Sequence, residues 1–232
     1  ADLLEELGRS QRQELLDALD AETAADALEE MESEELASLL REVDPEKAAS
    51  LVATMEPDEA AEALRDLDEE TRDELLEAMP QDVADSLVGL LDYDEETAGG
   101  VMTTSMLVLE GDVTVAEARS RLMERTDSSD VDGVLVVDVD GALVDNLRIV
   151  ELFTAEPEQL LRELTGAPWP VTVAADVPLE EVVEAFVENR GSSVVVVDDD
   201  QRPIGRILAD DLVDALLPTD ARGLRAFAGL LS

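Results

Sequence analysis

The chain has 232 residues, of which 59 are Asp or Glu and 16 are Lys or Arg, giving a formal charge of -43 at neutral pH, and it has no His and no Cys. Such a charge repels nucleic-acid backbones and anionic lipid headgroups, and the missing residues remove disulfides, Cys or His nucleophiles and the usual zinc and haem ligand sets. What remains for a metal is oxygen chemistry, which favours magnesium or calcium.

The length suits two domains, and with aromatic residues at 2% the cores must be built from Leu, Val, Ala and Met. The acidic excess is not a tail: residues 1–92 hold 30 acids and 6 bases, and residues 93–232 hold 29 and 10. Two readings of it are compatible. One is a surface adapted to high salt, where screening removes the self-repulsion; the other is a divalent-cation sensor whose clustered carboxylates share ions. No basic stretch followed by an apolar one opens the chain, so no signal peptide is expected. The longest aliphatic runs, such as Val194 to Val197, fall far short of the roughly 20 residues of a membrane span, so no direct membrane insertion is expected.

Leu7, Leu19, Met31, Val43, Met55, Leu67, Met79 and Leu91 recur with a period of twelve, which marks a repeat architecture. Within the unit that starts at Asp44, the residues Ala48, Leu51, Val52 and Met55 line one face of a short helix. Asp44 can cap that helix, Pro45 fits its first turn and Glu46 faces the positive end of its dipole. Pro45, Pro57 and Pro80 argue against one long helix. Short helices are unstable alone, so residues 8–91 are predicted to stack into a superhelix with a continuous Leu/Ala/Met core. This gives a first domain at 1–92, with Met31, Met55 and Met79 as core fillers.

From Met102 the pattern changes. Met106–Leu109 reads as a strand, Val115–Thr126 as an amphipathic helix, and Gly133–Val139 as a strand ended by Asp140-Gly141, a turn signal. Leu143–Leu147 is the next strand and Ile149–Phe153 a short helix. The order then recurs as strand Val171–Ala174, helix Leu179–Asn189, strand Ser193–Val197, turn Asp198-Asp199-Asp200, strand Ile204–Leu208 and helix Asp211–Leu217. Thr114 and Pro178 begin the two long helices at equivalent positions. The fold class is therefore multidomain α and α/β: a superhelix of short helices, a junction at 93–101, a βαββα module at 102–163, a second at 164–218, and the start of a connecting helix at 219–232.

The doubled βαββα unit resembles a tandem pair of CBS domains. Two segments narrow the resemblance to the intracellular region of the MgtE family of magnesium channels and transporters. Tyr93-Asp94-Glu95-Glu96-Thr97-Ala98-Gly99-Gly100-Val101-Met102-Thr103 is similar to the family's Y-P-E-D-[ST]-A-G-x-x-M-T. Gly141-Ala142-Leu143-Val144-Asp145-Asn146-Leu147-Arg148 is similar to its G-x-L-V-D-[DN]-L-R, where ordinary CBS domains have Gly in place of Asp145.

The resemblance implies a homodimer formed through the CBS domains. It also implies a transmembrane pore domain C-terminal to Ser232 in the parent protein, with this chain on the cytoplasmic face of the cell membrane. Mg2+ would bridge carboxylates of separate subdomains and hold the pore closed, because acids packed that closely cannot stay together unneutralised. Loss of Mg2+ would shift the population to an open arrangement. The positions that carry over as metal ligands are Glu96, where the family has Asp, with Asp211 and Asp214, three apart on one helix face, and Glu180. The sequence departs from the family at Arg190, where a member has an acid, and at Pro218-Thr219-Asp220-Ala221-Arg222-Gly223, where the connecting helix of the family starts acidic.

Some family members hold ATP between the CBS domains, whose nucleotide signature is G-x-x-[ST]-x-x-D. The second module reads Gly205-Arg206-Ile207-Leu208-Ala209-Asp210-Asp211, keeping the Gly and the ribose-directed Asp211 but not the hydroxyl. The first has Asp145, Arg148 and Glu151 in those places, and Arg148 could pair with a phosphate or with a nearby acid. No glycine-rich phosphate cradle is present. No base or nucleophile can be named, so an enzyme is not expected. The alternative to a transporter's regulatory region is a freestanding helical-repeat and CBS protein that senses an adenine nucleotide or a divalent ion for another partner.

Overall fold

The structure is a computed structural model that describes residues 9–29, 31, 33–124, 133–189 and 193–216. Leu7, Arg190 and the expected connecting helix at 219–232 lie outside the described residues. The chain divides after Asp92 into two compact units.

The first unit contains the helices α1 (Arg9–Ala18), α2 (Ala21–Glu29), α3 (Ser33–Glu42), α4 (Pro45–Val52), α5 (Pro57–Arg65), α6 (Glu69–Ala78) and α7 (Gln81–Leu91). Their starts follow the sequence logic. Asp44 Oδ1 accepts from Glu46 N at 3.1 Å ahead of Pro45, and Asp68 Oδ1 accepts from Thr71 N at 3.1 Å. Asp20 does the same for Thr23 at 3.0 Å. These bonds hold the carboxyls of Asp20 and Asp68 below the ordinary Asp range, chiefly through the backbone N–H of Thr23 and of Thr71. Glu56 precedes Pro57 without a side-chain cap bond, as its longer side chain leads one to expect.

Helices pack with their second neighbours: α2, α4 and α6 form one column, and α3, α5 and α7 another. The structural repeat is therefore two helices, or twice the twelve-residue sequence period. Ala48, Leu51, Val52 and Met55 are buried, as are Met31, Leu67 and Met79, whereas Leu19, Val43 and Leu91 are half-buried. In the second column Arg41, in the last turn of α3, donates to the carbonyl of Asp66 just past α5 at 3.3 Å. Arg65, in the last turn of α5, donates to the carbonyl of Leu90 in α7 at 2.9 Å. Both satisfy helix-end carbonyls and place a cation at the negative end of a dipole.

The second unit holds two copies of one module. The first comprises β1 (Val108–Glu110), α8 (Val115–Glu124), β2 (Gly133–Val137), β3 (Leu143–Arg148) and α9 (Ile149–Thr154). The second comprises β4 (Thr172–Ala174), α10 (Leu179–Asn189), β5 (Ser193–Val197), β6 (Pro203–Leu208) and α11 (Ala209–Leu216). In each sheet the first strand runs parallel to the second and the second antiparallel to the third. Each has a register irregularity at the same place, Val136/Val137 and Val196/Val197.

After their first residues, Gly133 and Ser193, the central strands are aliphatic because both faces are covered. Val134 and Val136 pack with Leu109, Val115, Ala118, Leu147 and Leu152. Leu135 packs with Val195 and Val197 of the other module, so the two sheets face each other. The hairpin turns are also duplicates. Asp138 Oδ1 accepts from Asp140 N and Ala142 N, and Asp198 Oδ1 accepts from Asp200 N and Arg202 N. The left-handed residue of the first turn is Gly141, at φ 85°, and that of the second is Gln201, at φ 61°, a conformation that strains a residue with a Cβ.

Candidate functional site

The junction folds on itself before it meets anything else. Asp94 Oδ1 accepts from Glu96 N at 2.9 Å, and the Asp94 carbonyl accepts from Thr97 N at 3.0 Å and Thr97 Oγ1 at 2.7 Å. Two glycines follow because there is no room for a side chain. A Cβ on Gly99 would lie 2.6 Å from the Tyr93 ring, and one on Gly100 would run into the Asp94 carbonyl oxygen.

This compact segment is bonded to the second module. Leu179 N donates to the Glu96 carbonyl at 3.1 Å, Ala98 N to Val177 at 2.8 Å and Gly99 N to Ala175 at 2.8 Å. Further on, Thr103 and Arg206 exchange both backbone hydrogen bonds, at 2.9 and 3.0 Å. Met102 packs where Gly205 has no side chain; a Cβ there would lie 2.5 Å from its sulfur.

The consequence for the expected metal ligands is direct. Glu96 stands at the entrance to α10, whose first turn carries Glu180 and Glu181. The residues Glu96, Asp176, Glu180 and Glu181 are all exposed. Asp211 and Asp214 lie on α11, which packs against α10 and β6, but their side chains lie outside the described residues. Among the described residues no three acids stand close enough together to hold a metal ion. The bonds therefore bring Glu96 to the start of the helix that carries Glu180.

Arg148 sits at the start of α9, where its backbone N–H donates to Glu151 Oε2 at 2.9 Å and its guanidinium spans both Glu151 oxygens at 3.2 Å. The hydrogen bond from Arg148 holds the Glu151 carboxyl below its usual range, and the same bond raises the Arg148 pKa. Glu151 is thus the nearby acid with which Arg148 pairs.

Two further residues hold the second unit together in ways that spacing and composition do not indicate. The side chain of Asp145 is buried, with Oδ1 accepting from Asn146 N and Oδ2 from Gly166 N, both at 2.8 Å. It thereby ties β3 to the segment between the modules, at the position equivalent to Gly205 in the second sheet. Its replacement of the usual Gly was the signal. Arg119 on α8 donates to the carbonyls of Leu152, Phe153 and Ala155 at the end of α9, and no spacing rule points to it.

Against known proteins, residues 1–96 match the family of the MgtE intracellular N domain, and residues 98–157 and 170–218 match the CBS domain. The chain thus carries an MgtE intracellular N domain followed by a pair of CBS domains. The magnesium transporter MgtE of Thermus thermophilus is 31% identical over 129 residues, which is 55% of this chain and 28% of that protein. The magnesium transporter MgtE of Enterococcus faecalis is 26% identical over 142 residues, 61% of this chain and 31% of that protein. These alignments cover less than a third of the relatives' length. The crystal structure of the cytosolic domain of the Mg2+ channel MgtE in complex with ATP is similar with a TM-score of 0.78 and 25% identity, covering 93% of each chain. The match to the MgtE N domain ends at Glu96 and the match to the CBS domain begins at Ala98, both within the junction segment. Among the described residues no helix is long and apolar enough to cross a membrane.

Proposed function

We propose that this chain is the cytosolic Mg2+-sensing regulatory region of a magnesium transporter or channel, whose pore lies in a transmembrane domain of the parent protein, C-terminal to this chain. Mg2+ bridging acids of separate subdomains holds the assembly closed, and its loss lets like-charge repulsion open it. The observation that carries this reading is the placement of Glu96 by backbone bonds at the acidic start of α10, beside Glu180 and Glu181. The available donors are all oxygen, which fits a hard divalent cation. Asp211 and Asp214, on the adjacent helix, complete the proposed ligand set.

A homodimer through the CBS pair belongs to the same proposal. Met123 and Val187 occupy equivalent places on α8 and α10, and Phe153 and Val213 equivalent places on α9 and α11; all four are exposed, Met123 at 80% and Phe153 at 78%. Apolar residues repeated on the outer helices of both modules suit a second copy. Catalysis forms no part of the proposal.

ATP is a second ligand reading, favoured by the ATP complex of the similar cytosolic domain. On this chain a phosphate reaching Arg148 must displace Glu151, and the acidic field opposes it, so affinity is expected to be weak and to fall further in Arg148→Ala.

Calorimetric titration of Mg2+ into the chain at constant high ionic strength tests the main reading. Saturable heat is expected with Mg2+, reduced in Glu96→Ala, Glu180→Ala and Asp211→Ala, and absent when Na+ replaces it at equal ionic strength. Equal heats for the two cations would remove the sensor.

A further inference from the structure

The two modules are completed by segments that have changed places. In the first module, Val115 N donates to Gln159, Leu161 N to Val113 and Arg162 N to Gly111, each at 2.9 Å. These bonds join the segment between the modules to the loop ahead of α8. In the second module the same three bonds are made at the loop ahead of α10, but the partner is the junction: Leu179 to Glu96, Ala98 to Val177 and Gly99 to Ala175. The isolated bridges repeat the correspondence, with Thr114 opposite Leu160 and Thr97 opposite Pro178. The short turn Ala98–Gly100 is thus the counterpart of Leu161–Glu163. Each module is closed by the segment that precedes the other one in the chain.

We infer that the junction and the 175–179 loop form one cooperative clasp, so that the chain arriving from the first unit is wired to the second CBS module before it enters the first. The bonds at the far end of the clasp strengthen this wiring, since Thr103 pairs with Arg206 on β6 and Met102 fills the space above Gly205. A displacement of the junction acts at the start of α10, and through the packing of α10 on α11 it reaches the end of the described chain. The first module keeps its own closure, made by residues 159–162. This wiring holds whether or not Mg2+ is the ligand.

Native-state hydrogen exchange on the intact chain in molar salt reads the clasp residue by residue. In Gly100→Ala, where the added Cβ meets the Asp94 carbonyl oxygen, protection is expected to fall together at Ala98, Gly99, Leu179 and Arg206. A fall of at least about tenfold is anticipated, the size of one lost hydrogen bond. Val115, Leu161 and Arg162 are expected to keep theirs. Should Gly100→Ala fail to fold, Thr97→Val removes only the Oγ1 bond to Asp94 and should give the same pattern at smaller amplitude. Loss confined to Ala98 and Gly99, equal loss in both modules, or no loss at all would overturn the inference.

Discussion

Asp145→Ala is expected to destabilise the second unit by about 2–4 kcal/mol, because it strands the N–H groups of Asn146 and Gly166 that the carboxylate accepts from, each worth about 1–3 kcal/mol when left without an acceptor. Asp145→Asn keeps one carbonyl acceptor and should lose less. Urea unfolding at fixed salt is the appropriate measurement, since guanidinium would change the ionic strength as well. The chain has one Trp, and Trp169 lies three residues beyond Gly166, so its fluorescence reports on the tied segment. If the alanine variant unfolds at the wild-type urea midpoint, the bond from Gly166 contributes nothing to stability.

Transfer from molar KCl to about 0.1 M is expected to unfold or expand the chain, with loss of helical circular dichroism. A net charge of -43 repels itself across a Debye length of about 10 Å at 0.1 M, but only about 3 Å at 1 M. Typical domains have about 5–15 kcal/mol in hand. The ion pairs that offset the charge are modest and exposed, such as Arg121 with Glu117 and Arg202 with Asp200, and pairs of this kind contribute about 0–1 kcal/mol each. An unchanged spectrum at low salt would mean that the acidic surface is not an adaptation to salt.

The modules were legible to within a residue or two because continuous aliphatic strands and Asp-initiated turns are local signals. The differences have local causes. The strand expected over Gly133–Val139 ends at Val137 because Asp138 turns the chain with its own carboxylate, leaving Val139 exposed at the tip. The strand expected over Met106–Leu109 is Val108–Glu110, where pairing with Leu135–Val137 begins. The helix expected over Asp211–Leu217 starts at Ala209.

In the first unit the twelve-residue spacing gave the helices but not their partners. The pairing of alternate helices is written in a slower rhythm, with Met31, Met55 and Met79 on one column and Arg41 and Arg65 on the other. Only the second-neighbour packing reveals why those residues repeat at that interval.

The site was less legible. Glu96 and Glu180 came from resemblance to a family motif. What brings them together is a set of backbone bonds between segments some eighty residues apart, and backbone bonds leave no side-chain pattern to read. Gly99 and Gly100 were the visible trace, since both are required by close approach rather than by a turn. The roles of Asp145 and Arg119 depend on accepting from, or donating to, main-chain groups more than twenty residues away, which composition and periodicity do not encode.

Small-angle scattering of the chain at constant ionic strength, with Mg2+ exchanged for Na+, tests the regulatory account most directly. The account predicts a smaller radius of gyration in Mg2+ that saturates with concentration, and a weaker response when Glu96 and Asp211 are both changed to Ala. The same radius in both cations at every concentration would contradict it.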